Sequence, residues 1–598
     1  MNIYFWGLLA SLIVYLLVGN YAGRKVQGLD DYYVAGRRAP TLLIVGTLVA
    51  SFLSTNAFLA ETGFAYDGYA FLMLALVAVN TSGYVIGALF FGRFVRRSKS
   101  LTIPEFFSRR FHSKAMQRLA GVTTVIGLTA YLLAVTQGGS ILISDVAEIP
   151  YGLALILVWL GYMLFTLYSG SRGVVLTDTI MFLLFTLVSI IALPYLLGED
   201  GSWFSTLADL ANFEPKPGII AWHGLSGEGA YWASGRESLI WALVLGASWS
   251  LVLAVSPWQT SRYLMARSEH VVMRSACISG LVLAILYVVL MFGGAAINLV
   301  NPEITPSERA MVWAAMNMMP TFLGTLLIAG IMAAALSSCS TFLSLIGFSV
   351  SNDILRTSKQ DEQKSLRLSR LIMLCAASIS LLLAYFQPPA VMWITYFAGT
   401  LFASSWGPVA FASIWSRNVS APAAFIGMAT GFVVNIAAKL LDQAGIVSLP
   451  VYLDPFILGF VANLACLVVV SSLTTPHPAA QAYFDALHQT PIEELDSTEL
   501  KKTLAWPLVV ILAGIAISIL LVTFYALPYA AARGHAFHLL SGESLLSIGY
   551  GLSVCGVGLL AFWYIRRAYG RRALDSLQGK APSQSQHTAP SSPNEVRQ

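Results

Sequence analysis

Hydroxyl side chains crowd one stretch of an otherwise apolar segment, Ala333–Asp353. Hydroxyl and backbone carbonyl oxygens are hard, neutral ligands that suit a small hard cation. The stretch is therefore either half of a sodium site or a close-packing face whose hydroxyls bond back to their own helix. Two overlapping sets at i, i+3 and i+4 spacing share a helical face: Ala334, Ser337 and Ser338, then Ser337, Ser340 and Thr341.

The composition places this stretch in a membrane. Hydrophobic residues make up 57% of the 598 residues and charged residues only 11%, against about 25% charged residues in a soluble protein. The chain is therefore predicted to be an all-α polytopic membrane protein in a lipid bilayer. Its net charge of +5 is explained by Lys- and Arg-rich cytoplasmic loops and does not indicate nucleic acid. No enzymatic motif, cofactor motif or obligate protein partner is evident from the sequence.

About fifteen apolar stretches are long enough to cross a bilayer at about 20 residues each. Positive charge follows the first of them, Ile3–Tyr21, instead of preceding it. This indicates a first span with its N-terminus outside rather than a signal peptide. The basic loops that follow predict a multi-pass protein with a cytoplasmic C-terminus.

The second and seventh spans carry polar residues or helix breakers at mid-membrane depth. The second contains ASFLSTNAFLAETG, with Glu61 near its outer end, and such a pattern marks a cavity, a broken helix or hydroxyls bonded to their own carbonyls. In the seventh, Pro257 favours a kink. The two spans lie five apart and run in opposite directions, as they would in two inverted five-helix repeats, spans 2–6 and 7–11.

Asp178 lies a few residues into the sixth span, after a short predicted loop, SGSRG, at 169–173. A carboxylate at this depth is unfavourable without a partner. Its partner is either Arg172, in a salt bridge, or a bound cation, and the residues alone leave both open.

Five motifs follow one another along the chain: DDYYVAGRR, TIPEFFSRRF (Thr102–Phe111), GVVLTD (Gly173–Asp178), PWQTSRYLMA (Pro257–Ala266) and LSSCSTFLSLIGFSVSNDI (Leu336–Ile354). In this order they resemble the sodium/solute symporter family, which includes bacterial proline, pantothenate and sialic acid symporters. The resemblance covers roughly residues 1–470. It implies a bacterial inner-membrane (plasma membrane) protein with a leucine-transporter-like 5+5 inverted-repeat core, an extra N-terminal helix and about four C-terminal helices.

The resemblance also implies ligands for sodium, the coupling ion. The main site of the family uses backbone carbonyls and two hydroxyls, which match Ala50, Leu53, Ala334, Ser337 and Ser338. Some relatives bind a second sodium, and the matching residues here are Ser337, Ser340, Thr341 and Asp178. The resemblance therefore favours a cation as the partner of Asp178.

The solute pocket implied by the resemblance lies between the second, fourth and seventh spans. Its residues are Ser54, Thr55, Asn56, Tyr131, Gln137, Trp249, Leu253, Trp258 and Gln259. Sugar symporters of the family have an acid and an amide where this chain has Asn56 and Ala57, and proline symporters have an acid at the position of Phe52. An aromatic pocket with few charges favours a small amino acid or monocarboxylate.

The sequence thus predicts a sodium-coupled symporter, not an enzyme, that imports a small organic solute by alternating access. A proton-coupled carrier, or a transporter-like sensor with a separate signalling partner, is the alternative. The predicted divisions are 1–40 (first span and cytoplasmic linker), 41–196 (first repeat), 197–236 (outer loop), 237–416 (second repeat), 417–473 (spans 12–13), 474–502 (cytoplasmic loop), 503–570 (spans 14–15) and 571–598 (disordered cytoplasmic tail).

Overall fold

The computed structural model describes residues 2–23, 28–197, 202–355, 362–386 and 390–570. The described chain is built from helices and their connections. The α-helices are α1 (Ile3–Gly23), α2 (Gly28–Val34), α3 (Thr41–Phe52), α4 (Thr62–Phe64), α5 (Ala70–Asn80), α6 (Ser82–Gly87), α7 (Arg93–Ser98), α8 (Ile103–Phe111), α9 (Lys114–Ala147), α10 (Tyr151–Leu196), α11 (Trp203–Ala211), α12 (Gly235–Val255), α13 (Pro257–Met265), α14 (Glu269–Ala296), α15 (Ala310–Asn317), α16 (Thr321–Phe348), α17 (Glu362–Phe386), α18 (Val391–Trp415), α19 (Ala421–Gln443), α20 (Pro455–Leu473), α21 (Pro478–Leu487), α22 (Ser497–Leu521), α23 (Leu527–Ala532) and α24 (Gly542–Ile565).

Among the described residues, 12 helical runs are long and apolar enough to cross a membrane. Three shorter apolar helices, Ile3–Gly19, Thr41–Phe52 and Tyr151–Thr166, accompany them. Within one apolar 18-residue window of each run, the buried share is 78% in Asn56–Ser98 and 83% in Thr321–Ile354 and Val391–Trp415, but only 22% in Pro455–Leu473. The first three runs therefore lie in the protein interior, and Pro455–Leu473 lies outside them with apolar surface directed outward.

Two spans are broken as their sequences predict. In the second span, α3 ends at Phe52, and a π-helical stretch, Asn56–Glu61, follows the break. In the seventh span, Ser256 has an extended ψ of 146° between α12 and α13, and Pro257 is the first residue of α13. Proline is tolerated at that position because the first helical N–H has no partner in the helix. The breaks thus lie in the spans that begin the two predicted repeats.

Glycines bring the third and seventh spans into backbone contact. A Cβ built on Gly83 would lie 2.1 Å from the carbonyl oxygen of Ser250, and one on Gly87 would lie 2.6 Å from the Cα of Ala254. Membrane helices associate through such small residues because lipid provides no hydrophobic force between helices. The close approach positions α12 beside the first repeat.

The short loop predicted at 169–173 is not observed, because α10 continues as one 46-residue helix through both apolar stretches. Its two glycines do not end the helix, since a glycine inside a helix is only about 1 kcal/mol less favourable than alanine. The Arg172 side chain lies outside the described part of the structure, as does the predicted tail at 571–598.

The last two spans pack on the early helices. The Tyr550 hydroxyl in α24 donates to the carbonyl of Ala284 in α14 at 2.6 Å. The Tyr525 hydroxyl donates to the carbonyl of Ile220 at 2.8 Å, and its ring stacks on Phe71 at 3.7 Å between centroids. These contacts attach α22–α24 to the predicted outer loop and to the third span.

Arg110 joins the amphipathic helix α8 to the end of α18. Its buried guanidinium donates to the carbonyls of Ser413 (2.6 Å), Ser416 (2.7 Å) and Ala480 (3.3 Å). Burial lowers the pKa of Arg110 to about 10. The neighbouring Arg109 is more exposed and pairs with Glu105 at 2.6 Å.

Replacing Arg110 with Lys should lower the free energy of unfolding by about 2–3 kcal/mol, because a single ammonium group cannot reach all three carbonyls and leaves buried acceptors unpaired. Arg109→Lys is the matched control and should change it by less than about 1 kcal/mol. Denaturation of the purified variants in detergent measures the free energy of unfolding of each. Equal effects of the two substitutions would contradict the assigned role of Arg110.

Candidate functional site

The break after α3 frees backbone groups inside the protein. The Leu53 N–H still donates to the carbonyl of Val49 at 2.9 Å, but the Ser54 N–H donates to Phe52 at 2.9 Å rather than to Ala50, four residues earlier. Leu53 itself has a non-helical ψ of 87°. Unwound carbonyls of this kind are the ligands that membrane transporters offer to sodium.

The hydroxyl-rich face of α16 meets this break. The Ser338 hydroxyl lies 3.5 Å from the carbonyl oxygen of Ser51. The buried Ser337 Oγ has no hydrogen-bond partner within 3.5 Å among the described residues, and its polar neighbour is the Asp178 carboxylate. Ser340, by contrast, donates back to the Ser337 carbonyl at 3.0 Å, as the packing interpretation expects. The structure therefore brings one predicted main-site hydroxyl, that of Ser338, to the broken span.

Asp178 has a partner that the sequence analysis missed. The guanidinium of Arg262 in α13 approaches its Oδ2 at 3.6 Å, and both side chains are almost fully buried, with 3% and 0% exposed. The Thr47 hydroxyl donates to the same oxygen at 2.6 Å. Arg262 also donates a short hydrogen bond to the Thr341 hydroxyl. A protein cation thus contacts two of the four residues predicted to bind a second sodium.

An aromatic cluster lies beside the break. The Tyr131 ring centroid lies 5.4 Å from that of Trp258 and 6.4 Å from that of Trp249, both in edge-on geometry. Phe342 of α16 packs on Tyr131 at 4.6 Å. Helices α9, α12, α13 and α16 therefore meet at the predicted solute pocket.

Several predicted pocket residues keep polar atoms that are buried but have no hydrogen-bond partner within the described chain. Buried polar atoms in native structures usually have partners, so these atoms remain available to a ligand. They are Thr55 Oγ1, Asn56 Oδ1, Trp249 Nε1, Trp258 Nε1 and Gln259 Oε1. Gln259 also approaches the Ser51 hydroxyl through Nε2, at 3.5 Å.

Three other predicted pocket residues have structural contacts. Ser54 Oγ accepts the N–H of Asn56 at 3.1 Å and so stabilises the break. Gln137 Oε1 accepts the Ala390 N–H at 3.3 Å, which directs that oxygen to the start of α18. Leu253 is buried in α12 and offers only apolar contact.

Residues outside the predicted set lie beside the aromatic cluster. Trp249 packs against Phe52 at 6.0 Å and Tyr396 at 5.5 Å. Glu61 accepts hydrogen bonds from Tyr396 and Tyr287 at 2.9 and 2.7 Å. The sequence offered a signal for Glu61, because it is an acid in an apolar span. The two tyrosines come from distant spans, and nothing in their local sequence indicates the predicted solute pocket.

A family model described as "Sodium:solute symporter family" matches residues 32–431. The sodium/pantothenate symporter of Escherichia coli strain K12 is 23% identical over 449 residues, which are 73% of this chain and 90% of that protein. A sodium/proline symporter of Haemophilus influenzae is 23% identical over 489 residues, 77% of this chain and 92% of that protein.

A solved structure of a Na+-coupled sialic acid symporter, in a substrate-bound outward-open state, superposes with a TM-score of 0.65 at 20% identity. The match covers 80% of this chain and 99% of that structure. It shows that the chain has the leucine-transporter-like fold of sodium symporters, as the motifs predict.

Replacing Arg262 with Gln should lower the free energy of unfolding by about 3 kcal/mol or more, because Asp178 then remains buried without its cation. Combining it with Asp178→Asn should destabilise by less than the sum of the single changes. The exposed pair Arg417–Asp485 is the control, since Arg417→Gln should change the free energy by less than about 1 kcal/mol. Denaturation in detergent measures the free energy of unfolding of the two single variants and the double variant. Strictly additive changes in that free energy would rule out an interaction between Arg262 and Asp178.

Proposed function

The chain belongs to the sodium:solute symporter family, and from that premise we propose how this sodium-coupled symporter binds its ion and which solute it carries. The relatives are transporters and not enzymes, and the apolar helices make this a multi-pass inner-membrane protein. We propose import of a small amino acid or monocarboxylate by alternating access. The observation that carries the proposal is the break after Phe52 facing the hydroxyls of α16.

The proposed main sodium site lies between the two helices at this break. Its ligands are the carbonyls of Ala50, Leu53 and Ala334 and the hydroxyls of Ser337 and Ser338. Two observations support it. The Ala50 carbonyl is released from helical pairing, and the buried Ser337 hydroxyl has no partner within 3.5 Å in the described chain and lies beside the Asp178 carboxylate. A sodium ion there would hold α3 and α16 together and stabilise the outward-open state. Sodium and solute affinities are then linked reciprocally.

The proposed orientation has the N-terminus outside and the C-terminus in the cytoplasm. Basic segments that follow different spans meet at one end of the molecule, as the cytoplasmic preference of Lys and Arg requires. Arg37 donates to the carbonyls of Lys99 (2.9 Å) and Ser100 (3.0 Å), and Arg97 pairs with Glu269 through both carboxylate oxygens. With this orientation the membrane potential drives sodium inward, at about 2.3 kcal/mol per charge per 100 mV.

The proposed solute pocket combines the aromatic cluster with the unpaired polar atoms of Thr55, Asn56 and Gln259. An apolar wall with few polar groups suits a small amphiphilic solute. Pantothenate and proline are the named solutes of two relatives, and both carry a carboxylate. A carboxylate can bind free N–H groups at a helix break or lie close to sodium.

The set Ser337, Ser340, Thr341 and Asp178 could hold a second sodium only after Arg262 moves away, because its guanidinium already contacts Thr341 and Asp178. The Arg262 guanidinium and a sodium ion this close together inside the protein would repel each other strongly. We therefore propose that one sodium binds in the conformation described.

Sodium dependence separates the proposed function from its alternatives. Uptake into proteoliposomes should stop when choline replaces sodium and should persist without a pH gradient. Uptake driven by a pH gradient alone would support a proton-coupled carrier. Complete absence of uptake, with sodium binding retained, would support a sensor.

Combining Ser337→Ala with Ser338→Ala should raise the sodium concentration for half-maximal uptake about tenfold or more, because two of five ligands are lost and each 1.4 kcal/mol is a factor of ten. Ser344→Ala, on the same helix but outside the site, is the control and should leave it within about twofold. Sodium-dependent thermal stabilisation provides a second measurement. An unchanged sodium affinity in the double variant would refute the site.

Purified protein should bind one sodium ion per chain in an equilibrium experiment with ²²Na+, because Arg262 supplies the second positive charge at Asp178. The Ser337→Ala, Ser338→Ala protein provides the baseline and should lose most of the bound sodium at the same concentration. Two ions of similar affinity per wild-type chain would contradict the single-site proposal.

A further inference from the structure

Glu61 is a buried carboxylate held by uncharged donors. It ends the π-helical stretch Asn56–Glu61 that follows the break, and it is only 4% exposed. Its Oε1 accepts hydrogen bonds from Asn56 Nδ2 at 2.8 Å and from Tyr396 at 2.9 Å, and its Oε2 accepts one from Tyr287 at 2.7 Å. The donors come from three different spans, so the tertiary structure fixes the position of this carboxylate after the break.

Two other buried acids of the described chain have a protein cation, since Asp178 faces Arg262 and Glu269 pairs with Arg97. Asp353 resembles Glu61 in having only uncharged donors, but it lies after the end of α16, whereas Glu61 lies beside the aromatic cluster. None of the ion pairs among the described residues involves Glu61. Neutral hydrogen bonds hold a carboxylate in place but do not balance its charge, and an unbalanced buried charge is strongly unfavourable.

Aromatic rings extend from this carboxylate along the pocket wall. Tyr396 packs on Trp249 at 5.5 Å, and Phe52 lies 6.0 Å from Trp249 and 6.4 Å from Tyr287 between ring centroids. Trp249 in turn meets Tyr131. Aromatic faces attract organic cations through the negative charge above the ring plane.

Asn56 adds a second acceptor beside the carboxylate. Its Nδ2 is used by Glu61, so its Oδ1 is directed elsewhere and has no partner within the described residues. A carboxylate accepts about four hydrogen bonds, and Glu61 has three. An ammonium group, which is a pure donor, matches the two remaining acceptors.

From this geometry we propose that Glu61 is the recognition site for a cationic nitrogen, and that the transported solute is a zwitterion or organic ammonium compound rather than a simple carboxylate. The inference rests on the proposed symport function and narrows its solute class. The ammonium binds between Glu61 and Asn56 Oδ1 with its alkyl part against the aromatic wall. A solute carboxylate, where present, lies toward the free backbone groups of the break and the proposed sodium site.

Paired solutes test the charge requirement. Proteoliposomes with an inward sodium gradient are offered L-alanine, L-proline and β-alanine, and in parallel the carboxylates propionate, cyclopentanecarboxylate and pantothenate. Sodium-dependent uptake is expected for at least one of the first three and for none of the second. Sodium-dependent uptake of only the carboxylates overturns the inference and leaves the proposed symport intact. Failure of all six to enter counts against the inference as well.

Glu61→Gln keeps the hydrogen-bond acceptor and removes the charge. It should weaken binding of the transported ammonium solute about ten- to hundredfold, since hydrogen bonds to charged groups are among the strong ones. The sodium affinity measured in the absence of solute should remain within about twofold. Asp67→Asn, in the same helical run but bonded to Ser307 at 2.8 Å, is the matched control and should leave solute affinity unchanged.

Two further outcomes separate this role from its rivals. Tyr396→Phe keeps the ring and removes one donor to Glu61, so it should weaken solute binding less than Glu61→Gln. If Glu61→Gln retains wild-type solute affinity, the inference is wrong. If uptake follows a pH gradient and loses that dependence in Glu61→Gln, Glu61 carries a proton and the inference is also wrong. Sodium-independent uptake that still requires Glu61 would reject the proposed sodium coupling and keep the recognition role.

Discussion

An unwound backbone inside a membrane protein must find partners for the groups that the helix no longer satisfies, because lipid supplies none. The break after Phe52 imposes this requirement at the centre of the molecule. Ser54 meets part of this requirement locally, because its hydroxyl oxygen accepts a hydrogen bond from the Asn56 N–H. The remaining groups are directed toward α16, and Ser338 approaches the Ser51 carbonyl. The proposed sodium site is therefore also the structural solution to an unpaired backbone, which explains why ion binding would couple directly to helix position.

Two buried acids on either side of this break are stabilised in different ways. Asp178 has a protein cation, Arg262, and a hydroxyl donor, Thr47. Glu61 has only neutral donors. A charge balanced within the protein is a structural element, whereas a charge left without a counter-charge is suited to a cation that arrives from outside. The distribution of charge across the pocket thus separates a fixed ion pair on one side from a recognition group on the other.

The close contacts of the glycines explain how the broken spans keep their positions. Gly83 and Gly87 bring the third span against the seventh. Gly138 of α9 leaves room for Thr55, since a Cβ there would lie 2.5 Å from its hydroxyl oxygen. The polar groups of the break are consequently held between packed backbones rather than exposed to lipid. Rigid packing around a short irregular segment is what allows a small ion to influence the arrangement of whole helices.

The local sequence was sufficient to predict the helical class, the family and the two broken spans, because hydropathy, proline and mid-membrane polar residues act over short distances. It also identified the hydroxyl face of α16 by helical spacing. It could not identify Arg262 as the partner of Asp178, since the two lie 84 positions apart and Arg172 was nearer along the chain. The loop expected at 169–173 was wrong because glycines inside a helix do not necessarily end it, and α10 continues through them. Likewise, only the tertiary structure decided that Tyr287 and Tyr396 converge on Glu61, because hydrogen bonds between distant spans depend on how the helices pack.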